Sequence, residues 1–123
     1  MLTFIFIYYI IISVYKKSFL DLDFNKRNGL LPVIVQHKNT KDILMLAYVN
    51  KDALRKTMES GNAWFWSTSH KKLWMKGEES GNTQRVDDIL IDCDSDALIY
   101  LVSSSNPACH TGNRSCFHNI LIN

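Results

Sequence analysis

The sequence predicts an α+β fold that is mainly β: a small twisted antiparallel sheet or sandwich with one principal helix. Three observations lead there. Short β-branched or aromatic runs recur between clusters of turn residues. Only Lys51 to Glu59 has a capping residue before it and a glycine just after it. A chain of 123 residues is long enough for one core, with little room for a second.

The elements follow in order. Pro32 to Gln36 is short, apolar and β-branched, a strand signal. Lys38-Asn39-Thr40-Lys41 reads as a hairpin turn, and Ile43 to Val49 as the returning strand. Asn50 can cap the helix, and Gly61 can stop it. Leu54 and Met58, four apart, are expected to share the face that packs on the sheet. Ala63 to Ser67 and Leu73 to Met75 read as strands around the polar turn Ser69-His70-Lys71-Lys72. Gly77 to Gly81 reads as a loop whose glycines let backbone approach a ligand closely. Asp88 to Cys93 and Ala97 to Ser103 are strands again, and Phe117 to Ile122 is expected to close the sheet.

Bulk properties exclude several classes. The apolar fraction of 46% and charged fraction of 21% are those of an ordinary folded domain. A net charge of +2, on scattered basic residues, gives no case for nucleic acid. Three cysteines cannot all pair within one chain, so a secreted disulfide scaffold is disfavoured and a cytoplasmic protein with reduced thiols expected. Leu2 to Tyr15 is almost unbroken apolar sequence, short of the roughly 20 residues a membrane-spanning helix needs. It also lacks the charge order and cleavage site of a signal peptide. Residues 1–18 read as an extra strand, a short interfacial anchor or, the favoured reading, an upstream extension from a misplaced start, ahead of a single domain expected at 19–123.

Chemistry concentrates in two segments. In Ile91-Asp92-Cys93-Asp94-Ser95-Asp96, an extended chain would send Asp92, Asp94 and Asp96 to one side and Cys93 to the other. Three crowded carboxylates repel, and a hard divalent cation such as magnesium or calcium removes that penalty. A calcium-binding helix-loop-helix fails, because its glycine position holds Ala97 and its closing glutamate position Ser103. The alternative is a solvated acidic turn. Cys93, Cys109 and Cys116 are spaced C-x15-C-x6-C, without the close pairs of a zinc finger. Three thiolates and an open fourth position suit catalytic zinc, which lowers the pKa of bound water to about 7. The alternative is three inert core thiols, but Cys109 and Cys116 flank a polar stretch unsuited to a core. Beside them, His110 can be a ligand, a general acid or base, or a plain loop histidine. Arg114 is a candidate for gripping an anionic group. Between Trp64 and Gly81, tryptophans interleave with hydroxyls and lysines, a pattern that can stack a base and neutralise phosphates.

Taken together, several motifs resemble the phosphoribosyl-AMP cyclohydrolase family of histidine biosynthesis. They are Leu44-Met45-Leu46-Ala47-Tyr48-Val49-Asn50, Trp66-Ser67, Leu73-Trp74 with Lys76-Gly77-Glu78 and Ser80-Gly81, Asp92-Cys93-Asp94 with Asp96-Ala97, and Cys109-His110-Thr111-Gly112 with Arg114-Ser115-Cys116-Phe117. The resemblance runs from about Phe19 to Phe117. It implies an intertwined homodimer in which Cys93 of one subunit joins Cys109 and Cys116 of the other around zinc. It implies magnesium on Asp92, Asp94 and Asp96. The reaction implied is the third step of the pathway, zinc-hydroxide attack at C6 of N1-phosphoribosyl-AMP with opening of the N1–C6 bond, and a proton relay through His110. Trp66, Ser67, Ser69, Trp74, Lys76, Ser80 and Arg114 would hold the substrate. The chain departs from the family at Thr68 and His70, where arginines are usual, and at Glu79. The pyrophosphohydrolase domain often fused behind members of this family is expected to be absent, with a separate enzyme performing the preceding step. A zinc-stabilised binding module is the rival from another class; a deaminase is excluded by the missing H-x-E and P-C-x-x-C signature.

Overall fold

The computed structural model describes residues 16–123. The extension expected over residues 1–18 therefore lies, up to residue 15, outside the described residues. A 3-10 turn at Phe19–Asp21 leads into strands β1 (Leu31–His37) and β2 (Ile43–Val49), then helix α1 (Lys51–Ser60). The hairpin strands β3 (Trp64–Ser67) and β4 (Lys72–Met75) follow, and then β5 (Val86–Ile91) and β6 (Leu98–Val102).

The strands form two sheets: a four-stranded one ordered β2-β1-β6-β5, and the two-stranded hairpin β3-β4. The larger sheet is mixed, which corrects the antiparallel expectation. β1 pairs antiparallel with β2 but parallel with β6, Val33 opposite Leu98 and Val35 opposite Tyr100. The long excursion through α1 and the β3-β4 hairpin supplies the crossover that parallel pairing requires.

Alternation along β1 and β6 sorts the two faces. Leu31, Val33, Val35, Leu98, Tyr100 and Val102 are buried with Ala53 and Leu54 of α1 and Phe65 of β3 in one core. The opposite face carries one apolar row across all four strands, Leu46 beside Ile34 beside Ile99 beside Leu90. Ile34 and Ile99 are half-buried, whereas Leu46 and Leu90 are exposed.

The helix forms where its caps predict. Asn50 Oδ1 accepts from the Ala53 amide at 2.8 Å, and Gly61 takes the left-handed conformation (φ 77°) while donating to Thr57 O. Its buried face differs from the expectation: Ala53, Leu54 and Thr57 are buried, but Met58 is 58% exposed. At about 100° per residue, Met58 stands about 90° from the centre of that buried arc. The carboxy-terminal run also departs from expectation. Phe117 to Ile122 forms no strand, and Phe117, Ile120, Leu121 and Ile122 are exposed. A strand needs a ladder; the Cys116 amide bonds to Leu44 O, and the tail then leaves β2.

Candidate active site

Three features carry the candidate residues: a cleft against the β3-β4 hairpin, the cysteine loop and the aspartate turn. The cleft, of about 580 Å³, is walled by β2 (Leu46, Tyr48), the hairpin (Trp66, Trp74) and the following loop (Gly77, Ser80). Of the residues expected to hold substrate, Trp66, Ser67, Ser69, Trp74 and Ser80 line it, as do Thr68, His70 and Lys72. Two features place these side chains. Antiparallel register sets Trp66 opposite Leu73 and Phe65 opposite Trp74. The backbone of Gly77 packs against Asn82 and Thr83 so closely that any Cβ would collide with them. Sequence reasoning missed Leu46 and Tyr48. The available signal was apolar sequence on both faces of β2, more than one core can bury.

Lys76 does not line the cleft. Its charge makes a minor contribution favouring the thiolates of Cys109 and Cys116.

The cysteine loop is built by backbone pairing. Ala108 N donates to Arg114 O, Cys109 N to Asn113 O, and Gly112 N back to Cys109 O. Thr111 Oγ1 donates to Cys109 Sγ at 3.0 Å and itself accepts from Asn113 Nδ2 at 2.9 Å. That hydroxyl, followed by a backbone bond to Thr111, lowers the pKa of the Cys109 thiol. Cys116 is raised, first by the partial burial of its sulfur and then by its neighbour Cys109. One thiolate in the pair is thus favoured, at Cys109. His110 is exposed at the tip of the loop. Arg114 donates to Asp42 Oδ2 at 3.1 Å and Thr40 Oγ1 at 3.2 Å, tying the loop to the β1-β2 turn.

The aspartates converge by a different route from the alternation expected. β5 ends at Ile91, and the next residues turn rather than extend. Asp92 Oδ1 accepts from the amides of Asp96 (2.9 Å) and Ala97 (3.1 Å), while Ser95 takes a left-handed φ of 62°. This turn, held by the Asp92 carboxylate and not by strand alternation, gathers Asp92, Asp94 and Asp96 so that an oxygen of each lies within 4.8 Å of the others. Cys93 is exposed on it.

Cations from the amino-terminal segment surround the turn, and sequence reasoning missed all three. Lys17 Nζ donates to Asp92 O, Cys93 O and Ser95 Oγ. Lys26 pairs with Asp96 and Asp94, and Arg27 with Asp96 at 3.3 Å. The Lys26 ammonium holds the Asp96 carboxyl well below the usual carboxylate range. Hydrogen bonding to Asp96 and Asp92 raises Asp94.

Two groups of side chains have donor chemistry suited to metal ions. Three converging carboxylates offer hard oxygen to a divalent cation. Cys109 and Cys116 are close enough to perturb each other and offer soft sulfur suited to zinc. Among the described residues of a single chain, the aspartates are the one group of three or more His, Cys, Asp or Glu that converges. Cys93 does not join the other two thiols within that chain.

Comparison with known proteins follows the same residues. The family model described as phosphoribosyl-AMP cyclohydrolase matches residues 45–118, from β2 through the cysteine loop. The protein called phosphoribosyl-AMP cyclohydrolase in Cenarchaeum symbiosum (strain A) is 58% identical over 107 residues, covering 87% of this chain and 99% of its own. Its namesake in Nitrosopumilus maritimus (strain SCM1) is 60% identical, covering 85% of this chain and 97% of its own. That of Archaeoglobus fulgidus is 56% identical over 80% of this chain and 91% of its own.

Proposed function

The chain belongs to the phosphoribosyl-AMP cyclohydrolase family, and from that premise we propose that it opens the adenine ring of N1-phosphoribosyl-AMP, the third step of L-histidine biosynthesis. The observation that carries this reading is the span of the family match, which takes in both the cleft hairpin and the cysteine loop. Water adds at C6, the N1–C6 bond breaks, and the departing nitrogen takes up a proton.

Each part of the site has a share in that chemistry. Trp66 and Trp74 present aromatic surface to the base. Ser67, Ser69 and Ser80 offer hydroxyls to ribose and phosphate, with Lys72 and His70 supplying positive charge on the same wall. Lys76 lies outside the cleft lining, and its charge favours the thiolates of Cys109 and Cys116. His110, exposed beside Cys109, would pass a proton to the leaving nitrogen. Arg114 would have to leave Asp42 before it could bind a phosphate.

Zinc belongs on Cys93, Cys109 and Cys116, where it would supply water activated near neutral pH. Magnesium belongs on Asp92, Asp94 and Asp96. The separation of Cys93 from the other thiols in one chain supports taking its partners from a second copy. The row Leu46, Ile34, Ile99 and Leu90 supports that homodimer, as an apolar sheet face with exposed ends. The reduced thiols these sites require fit the cytoplasm. Among the described residues no helix is long and apolar enough to cross a membrane.

The test is turnover of phosphoribosyl-AMP by the purified chain, followed by product absorbance, before and after a zinc chelator. Turnover that is lost on chelation and restored by zinc is expected. Full activity after complete zinc removal would sink the zinc assignment, and absence of turnover by the zinc-loaded protein would sink the reaction.

A further inference from the structure

We propose that Gln84 and Asn106 are positioning residues, forming a clasp that holds the cleft wall and the cysteine loop in one fixed relation. Gln84 is fully buried, and its Nε2 donates to Asn106 O at 2.9 Å. Asn106 Nδ2 donates back to Thr83 O at 3.0 Å. Two opposed bonds thus join consecutive residues of one loop to a single residue of another, 22 and 23 positions away.

Stiff chain leads away from the clasp on both sides. Pro107, with its fixed φ, and the fully buried Ala108 separate Asn106 from Cys109. Ala108 N then bonds to Arg114 O, the first rung of the cysteine loop. On the other side, Thr83 and Asn82 lie against the backbone of Gly77, leaving no room for a Cβ. Gly77 and Ser80 are cleft wall. Gln84 O, in turn, accepts from Ala63 N at 2.9 Å, anchoring the assembly at the start of β3.

The remaining atom of Gln84 separates positioning from mere stability. Its Oε1 is buried without a hydrogen-bond partner among the described residues. An unpaired buried acceptor is destabilising, and a leucine of similar size would avoid that penalty. What the amide adds is the bond to Asn106 O.

This inference deepens the proposed function: the zinc-release and kinetic readouts rest on that function, while hydrogen exchange does not. The experiment uses the full chain with Asn106→Ala, Gln84→Leu and the double variant. In Asn106→Ala, hydrogen exchange should quicken about tenfold in both 77–83 and 107–116, while β1 keeps the wild-type rate. Zinc should be stripped by a chromogenic chelator about tenfold faster, the scale of losses when a ligand's support is removed. kcat should fall about tenfold with KM within about twofold, since the cleft side chains remain. The double variant should resemble the stronger single one, as expected of two parts of one device. Faster exchange confined to 107–116, or spread evenly through the chain, overturns the clasp. If wild-type protein binds no zinc, the zinc assignment fails while hydrogen exchange still judges the clasp. Should Asn106→Ala not fold, Asn106→Asp, which removes the donor at constant size, is held to the same outcomes.

Discussion

The hydroxyl of Thr57, on α1, accepts a hydrogen bond from the phenol of Tyr100, on β6, at 3.2 Å across 43 residues of sequence. Thr57 Oγ1 also accepts from Trp64 N at 2.9 Å and lies 3.1 Å from Ala53 O, to which it can donate. One buried hydroxyl therefore joins helix, hairpin and sheet. Burial holds the Tyr100 phenol protonated, well above the usual tyrosine range. Thr57→Val, nearly isosteric, strands the Tyr100 hydroxyl and the Trp64 amide. It is expected to cost about 2–4 kcal/mol in urea unfolding at unchanged m-value, against about 1 kcal/mol for Tyr100→Phe.

Two neighbouring glycines should respond very differently to alanine. Gly81 has φ 80° but open space where a Cβ would project. Gly81→Ala should therefore cost only the left-handed strain, about 1–2 kcal/mol. Gly77 has φ 83° and the backbone of Asn82 and Thr83 in the way. Gly77→Ala should cost more than about 3 kcal/mol and raise KM, because the cleft wall must move. Thermal unfolding and steady-state kinetics on the two variants make the comparison, and equal effects would contradict this account of the loop.

Lys26 and Asp96 make a pH-dependent contribution of definite sign. Asp96 is depressed in the folded protein, so its contribution is complete above the ordinary carboxylate pKa of 3.8 and is lost as pH falls through the depressed value. Lys26 is raised, chiefly by Asp96, so its contribution is complete below 10.5 and is lost as pH rises through the raised value. Asp94 is raised and acts oppositely, favouring the folded state as acid protonates it. In metal-free Lys26→Met, Asp96 should titrate at higher pH, read from its carboxyl NMR shift. The same variant should bind Mn2+ more tightly than wild type, since the ammonium no longer competes for the Asp94 and Asp96 carboxylates.

Shared zinc ligation predicts complementation. Cys93→Ser and Cys109→Ser proteins should each be inactive, and mixing them should restore part of the activity, because some mixed dimers contain one intact site. The readout is turnover after subunit exchange has been verified by native mass spectrometry. Verified exchange without recovered turnover would place the three cysteines in separate roles.

Local chemistry in the sequence determined a good deal of this protein. Asn50 and Gly61 delimited α1, the Lys38–Lys41 turn separated β1 from β2, and Trp64 to Met75 announced the hairpin that walls the cleft. Those features were legible because caps, turns and burial periodicity act within a few residues. The two chemistry-bearing segments stood out for the same reason, as soft and hard donors crowded into short stretches.

Tertiary structure decided what distant segments do to one another. β6 entered the sheet parallel to β1, a pairing no local pattern encodes. Thr57 rather than Met58 faced the core, where its hydroxyl met Tyr100 and Trp64. The aspartates met through a turn, and Lys26 came 68 and 70 residues along the chain to neutralise them. Cys93 was left apart from Cys109 and Cys116 in one chain. Periodicity records which side a residue faces; only the closed chain settles which residue stands opposite.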